Sequence, residues 1–250
     1  MNGLGFELNN ISLFRSCFDA ISRIVDEAQL RIDYTGLKIT GIDKSKITFL
    51  NLEFDNTFFE SFTGGSESQG PVKFSLDVHE FMKILKKGKT NDRAQFSLDG
   101  SHLKISFLGE SRKNFKLKLI HDDYLAPTPP DIDYPTSFFV PYEVLKSGVK
   151  DCLDFTEKLV FKLSPNYFSI SADSEFVDVY ILYPLDNTLD TDYKACFNAL
   201  KINDTLYADK FKTDVFVKMG DDLPITLNFE TDTKDVRLSF ILAPRIEAEE

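Results

Sequence analysis

The sequence predicts an α+β fold built as two pseudo-repeated domains, and three observations predict it. One apolar pattern occurs twice at a constant offset. It runs through Leu13, Phe14, Cys17, Phe18, Ile21, Leu30, Ile32, Leu37 and Ile39, and again through Val144, Leu145, Gly148, Val149, Cys152, Phe161, Leu163, Phe168 and Ile170. The offset is 131 residues at every pair (144 against 13, 161 against 30, 170 against 39). Within each copy the period changes. The early positions recur at i, i+1, i+4, i+5 and i+8, one face of a helix, and the later ones alternate, as strands do. Finally, a Pro- and Asp-rich stretch, His121 to Pro135, separates the copies and suits neither a helix nor a central strand. Nine matched pairs at one offset, across two periods, point to a duplicated module.

The elements follow in order. Ser12 to Asp26 carries the helical face. Leu30 to Tyr34 and Leu37 to Ile42 form a hairpin about Thr35-Gly36. A Gly/Ser-rich loop spans Phe62 to Gly70. A second unit places a helix at Asp77 to Lys87 and strands at Ala94 to Leu98 and Leu103 to Leu108. Arg112 to Leu119 reads as a basic edge strand. In the second half, a helix at Pro141 to Leu153 precedes the equivalent hairpin. Glu175 to Leu182 reads as a more acidic edge strand. A loop at Leu185 to Asp190 leads to a second unit with a weakly periodic helix, about Asn198 to Lys210, and strands at Val215 to Met219 and Ile225 to Phe229. The domains are expected at 1–118 and 136–250, joined by a stiff acidic linker at 119–135. Gly148 inside a helix costs about 1 kcal/mol relative to Ala.

Composition narrows function. The chain has 250 residues, 42% of them hydrophobic, with 24 Phe, enough for packed cores. No apolar run is long enough to span a membrane, and the first residues lack the features of a signal peptide. Cys17, Cys152 and Cys196 show no CxxC spacing, so a reducing, intracellular setting is expected and no disulfide or zinc site. His79, His102 and His121 fall in no ligand spacing, and neither GxSxG nor a P-loop occurs. Asp122-Asp123 and Asp221-Asp222 read as solvated turn formers rather than cation ligands. A non-enzyme without cofactor or metal is expected. The net charge of −11 argues against coating DNA by bulk charge. The four predicted helices nonetheless carry a small basic excess inside an acidic chain, and Lys83, Lys86 and Lys87 share a face.

The ending Phe240-Ile241-Leu242-Ala243-Pro244-Arg245-Ile246-Glu247 resembles the C-terminus of the proliferating-cell-nuclear-antigen family of DNA sliding clamps. So do Asp26-Glu27-Ala28, the Leu37-to-Phe49 region with Ile42-Asp43, Val72 to Lys86 with Met82-Lys83-Ile84-Leu85-Lys86, and Gly220-Asp221-Asp222-Leu223-Pro224. The order of two repeated domains across a long acidic crossover resembles that family over essentially the whole chain. The Pro-rich linker, Gly148 and the eroded fourth helix depart from it.

The resemblance implies sliding-clamp domains with helices lining a channel and β-sheets outside. It implies a homotrimeric ring that encircles duplex DNA without reading sequence, tethers a DNA polymerase, and is opened by a clamp loader. Arg15, Lys83, Lys86 and Lys150 fall where the family faces DNA, and Lys87, Lys146 and Lys210 join them as candidates; Lys146 is the repeat equivalent of Arg15. The implied partner pocket, for a peptide with Gln and paired aromatics, uses Ile42, Ile47, Phe49, Pro127, Pro129, Pro224, Ile241, Leu242, Ala243 and Pro244. The subunit edge is expected at Lys113, Phe115 and Leu117 against Val177, Val179, Tyr180 and Ile181. The implied location is the nucleus in a eukaryote and the cytoplasm, or host cytoplasm, otherwise. Rival readings are a monomeric viral processivity factor that holds DNA by charge, a β-rich interaction module with no DNA role, and a metal-dependent hydrolase.

Overall fold

A computed structural model describes residues 4–68, 70–120, 127–185, 191–208, 210–211 and 214–245. His121, Asp122 and Asp123 of the linker, most of the loop at 185–190, and the acidic tail with Glu247, Glu249 and Glu250 lie outside the described residues. The chain divides into unit 1, Met1–Thr128 with Glu230–Leu238, and unit 2, Pro129–Phe229 with Ser239–Glu250.

Unit 1 runs β1 (Gly5–Leu8), α1 (Ser12–Ile21), β2 (Glu27–Asp33), β3 (Gly36–Ile42), β4 (Thr48–Asp55), β5 (Ser61–Thr63), β6 (Val72–Asp77), α2 (Val78–Leu85), β7 (Arg93–Asp99), β8 (His102–Leu108) and β9 (Arg112–Lys118). One sheet has the order β5-β1-β7-β8-β9; the other includes β4-β3-β2-β6. Helices α1 and α2 pack on each other. The core is aromatic: Phe6, Phe14, Phe18, Phe54, Phe81 and Phe96 are each at most 2% exposed. Rings such as Phe6 and Phe96 stack at 4.6 Å, and Phe18 meets Phe81 edge-on at 4.8 Å.

Unit 2 runs β10 (Thr136–Pro141), α3 (Tyr142–Leu153), β11 (Lys158–Ser164), β12 (Tyr167–Asp173), β13 (Asp178–Pro184), β14 (Tyr193–Asn198), α4 (Ala199–Thr205), β15 (Asp214–Met219), β16 (Ile225–Glu230) and β17 (Val236–Leu242). Its sheets run β13-β12-β11-β14 and β10-β15-β16-β17. Only the second part of β17 counts with unit 2; Val236–Leu238 belongs with unit 1.

The repeat is visible in the elements. Hairpin β2–β3 maps onto β11–β12 end for end at the offset read from the sequence. The strand-face residues Leu30, Ile32, Leu37 and Ile39 are buried, and so are Phe161, Leu163, Phe168 and Ile170. From β6 and β14 to the starts of β7 and β15 the offset is 121, because unit 1 spends extra residues on β5 and the Gly/Ser-rich loop. Both second helices start on a side-chain cap: Asp77 accepts from Glu80 N at 2.8 Å and Asn198 from Lys201 N at 3.1 Å. Such oxygens satisfy amides that a first turn leaves without partners.

Some boundaries differ from expectation. Helix α1 stops at Ile21, not Asp26, because Ile24 and Val25 are β-branched residues that turn inward after the Ser22-Arg23 step. Helix α4 stops at Thr205 rather than Lys210. Its Asn203-Asp204-Thr205 end is poor in helix formers, and the buried Thr205 hydroxyl donates to Ile202 O at 2.6 Å. Strand β13 starts at Asp178, so Glu175, Phe176 and Val177 form the turn before it.

Gly148 has a packing reason. A Cβ there would lie 2.8 Å from Ile170 Cδ1 and 3.6 Å from Ile181 Cδ1. The missing side chain lets α3 settle onto β12 and β13, which offsets the lost helix propensity. Gly148→Ala is therefore expected to give no net gain. Gly148→Val should cost about 1–3 kcal/mol by overpacking, seen as a lower urea midpoint. An unchanged midpoint for the Val variant would show that the contact yields freely.

In unit 1 the last strand is tied down by charge. Arg237 reaches Asp55 at 2.7 Å and Glu53 at 3.2 Å, and Lys38 reaches Glu53 at 3.1 Å. Asp55 N donates to Asp235 O at 2.8 Å. Partial burial pushes the Glu53 carboxyl up, but hydrogen bonds from Asn51, Lys38 and Arg237 outweigh it and hold the group below its ordinary value. A carboxyl depressed in the folded state stabilises above its unfolded pKa, about 4.3, and that stabilisation fades as pH falls through the folded value. Arg237→Met is expected to cost about 1–2 kcal/mol at neutral pH, between exposed and buried pairs. The deficit should shrink in urea titrations from pH 5 down to pH 3. A deficit independent of pH would assign the loss to packing.

Candidate functional site

Three surfaces take up the residues singled out in the sequence. The first is the outer face of the paired helices. In unit 1, Lys83, Lys86 and Lys87 are exposed along α2 and its C-terminus. Lys83 pairs with Glu80 at 2.5 Å, and Lys86 lies 3.6 Å from Asp19 of α1. Arg15 donates to Gly88 O at 3.1 Å, and Lys113 donates to Lys87 O at 2.8 Å. Two cations thus meet carbonyls just past the C-terminus of α2, where the helix dipole favours positive charge. The sequence assigned Lys113 to a subunit edge and missed this role; Gly88 directly after an apolar helix was the available signal. In unit 2, α3 packs on α4. Lys150 is exposed, Lys146 sits 5.3 Å over the Tyr142 ring, and Lys210 is exposed beyond the end of α4.

The second surface is a pair of open strand edges. Strands β9 and β13 each end their sheet. Leu119 N donates to Ser101 O and Leu185 N to Asn166 O, which fixes the alternation of both ladders. On β9 the backbones of Lys113, Phe115 and Leu117 turn to β8, while those of Arg112, Asn114, Lys116 and Lys118 face the open edge. On β13 Val179 and Ile181 turn to β12, while Asp178, Tyr180 and Leu182 face outward. Of the residues expected at this edge, Tyr180 alone combines an outward amide in the strand with a side chain that is 57% exposed. Leu117 is buried, and Phe115, Val179 and Ile181 are half-buried. Val177 is exposed in the turn.

The third group of residues is split between the units. In unit 1, Asp43 is 3% exposed and its Oδ1 accepts from Ile47 N at 2.7 Å and Thr48 N at 2.8 Å. Lys46 adopts φ 58°, and the turn holds Ile47 out, 37% exposed, beside half-buried Ile42. Pro127 is half-buried. Phe49, 5% exposed, belongs to the core instead. In unit 2, Ile241, Ala243, Pro244 and Pro224 are half-buried and Pro129 is exposed. Leu242 is 1% exposed, a core residue like Phe49. Period-two alternation alone would have placed Leu242 inward beside Phe240. Arg245 N donates to Cys196 O at 2.7 Å and anchors the segment.

No group of three His, Cys, Asp or Glu suited to a metal ion occurs among the described residues. Burial pushes the Cys17 thiol far up and Cys152 up to about 11, the latter aided by Asp151. Both are packing residues. No helix of the described residues is long and apolar enough to cross a membrane.

A doubled α+β module, with a helix pair in each copy and unlike open edges, defines the sliding-clamp fold. Solved structures that share it include the proliferating cell nuclear antigen of Thermococcus kodakaraensis, TM-score 0.86 at 21% identity over 97% of this chain and 100% of that one, and that of Entamoeba histolytica, TM-score 0.87 at 14% identity over 98% and 100%. A family model described as Rad9 matches residues 14–123. The "DNA polymerase sliding clamp" of Methanothermobacter thermautotrophicus is 38% identical over 98% of both chains, and that of Methanobrevibacter smithii is equally similar. The chain belongs to the DNA polymerase sliding clamp family, that of proliferating cell nuclear antigen.

Proposed function

We propose that the chain closes head to tail into a homotrimeric ring around duplex DNA and holds a DNA polymerase on its template. The observation that carries this reading is the pair of open edges, β9 with Arg112, Lys116 and Lys118, and β13 with Asp178 and the preceding Glu175. Unlike edges join one copy to the next, and a suitable rotation closes the series. Opposite charge favours that pairing over like with like. Helices α1 to α4 line the channel and the sheets face outward, with residues 119–135 connecting domains 1–118 and 136–250. Arg15, Lys83, Lys86, Lys87, Lys146, Lys150 and Lys210 touch phosphates loosely enough for the ring to slide. Retention comes from topology, so an acidic protein stays on DNA. A clamp loader opens the ring, and the chain catalyses nothing itself.

The partner site is read at Ile42, Ile47, Pro127, Pro129, Pro224, Ile241, Ala243 and Pro244, with Phe49 and Leu242 supporting it from the core. A peptide with a Gln and paired aromatics adds along the extended C-terminal segment. Calorimetry is expected to give a micromolar Kd, roughly −8 kcal/mol. Ile47→Ser with Pro244→Ala should weaken peptide binding and polymerase stimulation together while leaving the particle mass unchanged. Equal binding to this double variant would remove the site and leave the ring reading standing.

A further inference from the structure

Strand β10 presents to solvent an aromatic ring that its repeat equivalent lacks. Phe138 and Val140 are buried, so Ser137, Phe139 and Pro141 share the other face of the strand. Phe139 is 57% exposed. Opposite it on β15 lies Phe216, with the ring centres 4.9 Å apart. In unit 1 the same place in the ladder is held by Glu7, opposite Gln95. Gln95 and Phe216 are 121 residues apart, like the starts of β7 and β15. Glu7 is buried, accepts from Gln95 Nε2 at 2.9 Å and pairs with Arg93. A closed polar pair in one half is thus an open aromatic pair in the other.

The aromatic pair ends a strip that crosses all four strands β10-β15-β16-β17 within unit 2. Phe216 lies opposite Asn228 of β16, whose Oδ1 accepts from Ser239 Oγ of β17 at 2.8 Å. Two residues further along β17, on the same face, is Ile241. The neighbouring row runs Ser137, Lys218, Thr226, and Tyr134 lies over it with its hydroxyl 2.7 Å from Thr226 Oγ1. Ile241, Tyr134 and Phe216 are half-buried, so apolar surface continues from Ile241 to Phe139. Three strand spacings of about 4.8 Å separate β17 from β10, roughly 14 Å, which about five extended residues cover. Asp214 and Lys218 flank Phe216 two residues away on either side, so this end of the strip favours neither a polyanion nor a polycation.

We propose that the strip extends the partner site of unit 2: a partner peptide anchored at Ile241 continues across the sheet and packs an aromatic side chain on Phe139. This extension rests on the partner site proposed above. The strip is one or two side chains wide, which suits an extended chain rather than the roughly 800 Å² that a folded partner buries. Phe216 packs against one side of the Phe139 ring, so little side-chain freedom remains to be lost on binding. An aromatic residue placed on the free side gains the tilted or offset contact that such rings favour.

Calorimetry on the full chain compares a core peptide, carrying only the Gln and paired aromatics, with two extended peptides that add about five residues ending in Phe, one on each flank. One of the two is expected to bind about fivefold more tightly than the core peptide. The gain should vanish when the added Phe is Ala, or when the protein carries Phe139→Ser. That variant should keep its affinity for the core peptide and its particle mass, and Phe139→Tyr should retain the gain. The chain has no Trp, so Phe139→Trp supplies a single fluorophore, whose emission should shift with the extended peptide and not with the core peptide. The extension is overturned if the core peptide binds and neither extended peptide binds more tightly, or if the gain survives Phe139→Ser. A fluorophore that answers to a single-stranded oligonucleotide and not to peptide would give the strip to nucleic acid instead. A change of particle mass with Phe139→Ser would give it to a second copy of the chain. Failure of the core peptide itself removes the partner site, and the extension with it.

Discussion

Tyr180→Pro is expected to leave single subunits of 28.5 kDa, against the trimers proposed for the unaltered protein at micromolar concentration. The Tyr180 amide faces the open edge, so proline removes a donor to the neighbouring copy while the bonds to β12 persist. Ile181→Pro is the wrong instrument, because that amide belongs to the β12–β13 ladder and its loss damages unit 2 itself. Light scattering reads the mass, and polymerase processivity should fall toward that of the polymerase alone. A monomer for the unaltered protein would remove the preformed ring; a trimer that survives the proline with full processivity would move the seam to another strand.

The second large effect is expected from Arg15, Lys83, Lys86 and Lys150 changed together to Ala. Processivity should drop about tenfold on every template sequence alike, with trimer mass intact. Each lost phosphate contact removes roughly 0.9 from the slope of log affinity against log salt, so the salt dependence of loading should flatten. Because Arg15 also donates to Gly88 O, the triple variant that keeps Arg15 separates charge from helix support. Unchanged stimulation by the quadruple variant would take these residues out of the channel.

Much of the fold was legible because the apolar pattern is long and doubled. Nine pairs at one offset located both helix–hairpin units, and β2–β3 and β11–β12 match in length because the same alternation governs both. Helix ends were less legible. Asn203-Asp204-Thr205 ends α4 through propensity and a buried hydroxyl, and neither leaves a periodic trace. Site residues were legible as types but not as environments. Phe49 and Leu242 sit in apolar runs that serve core and surface alike, and only burial separates them from Ile47 and Ile241. Arg15 was read as facing DNA and Lys113 as a subunit-edge residue, yet both meet the end of α2 across sequence gaps that no local pattern spans.

The division of β17 has a consequence for biosynthesis. Unit 1 includes Glu230–Leu238, and Arg237 pairs with both Glu53 and Asp55 on β4. A ribosome adding roughly 5–20 residues per second therefore leaves β4 without its neighbour for several seconds after Thr128 has been made. The first-made half of the protein is the last to be sealed, and a message truncated before Arg237 damages the domain that was translated first.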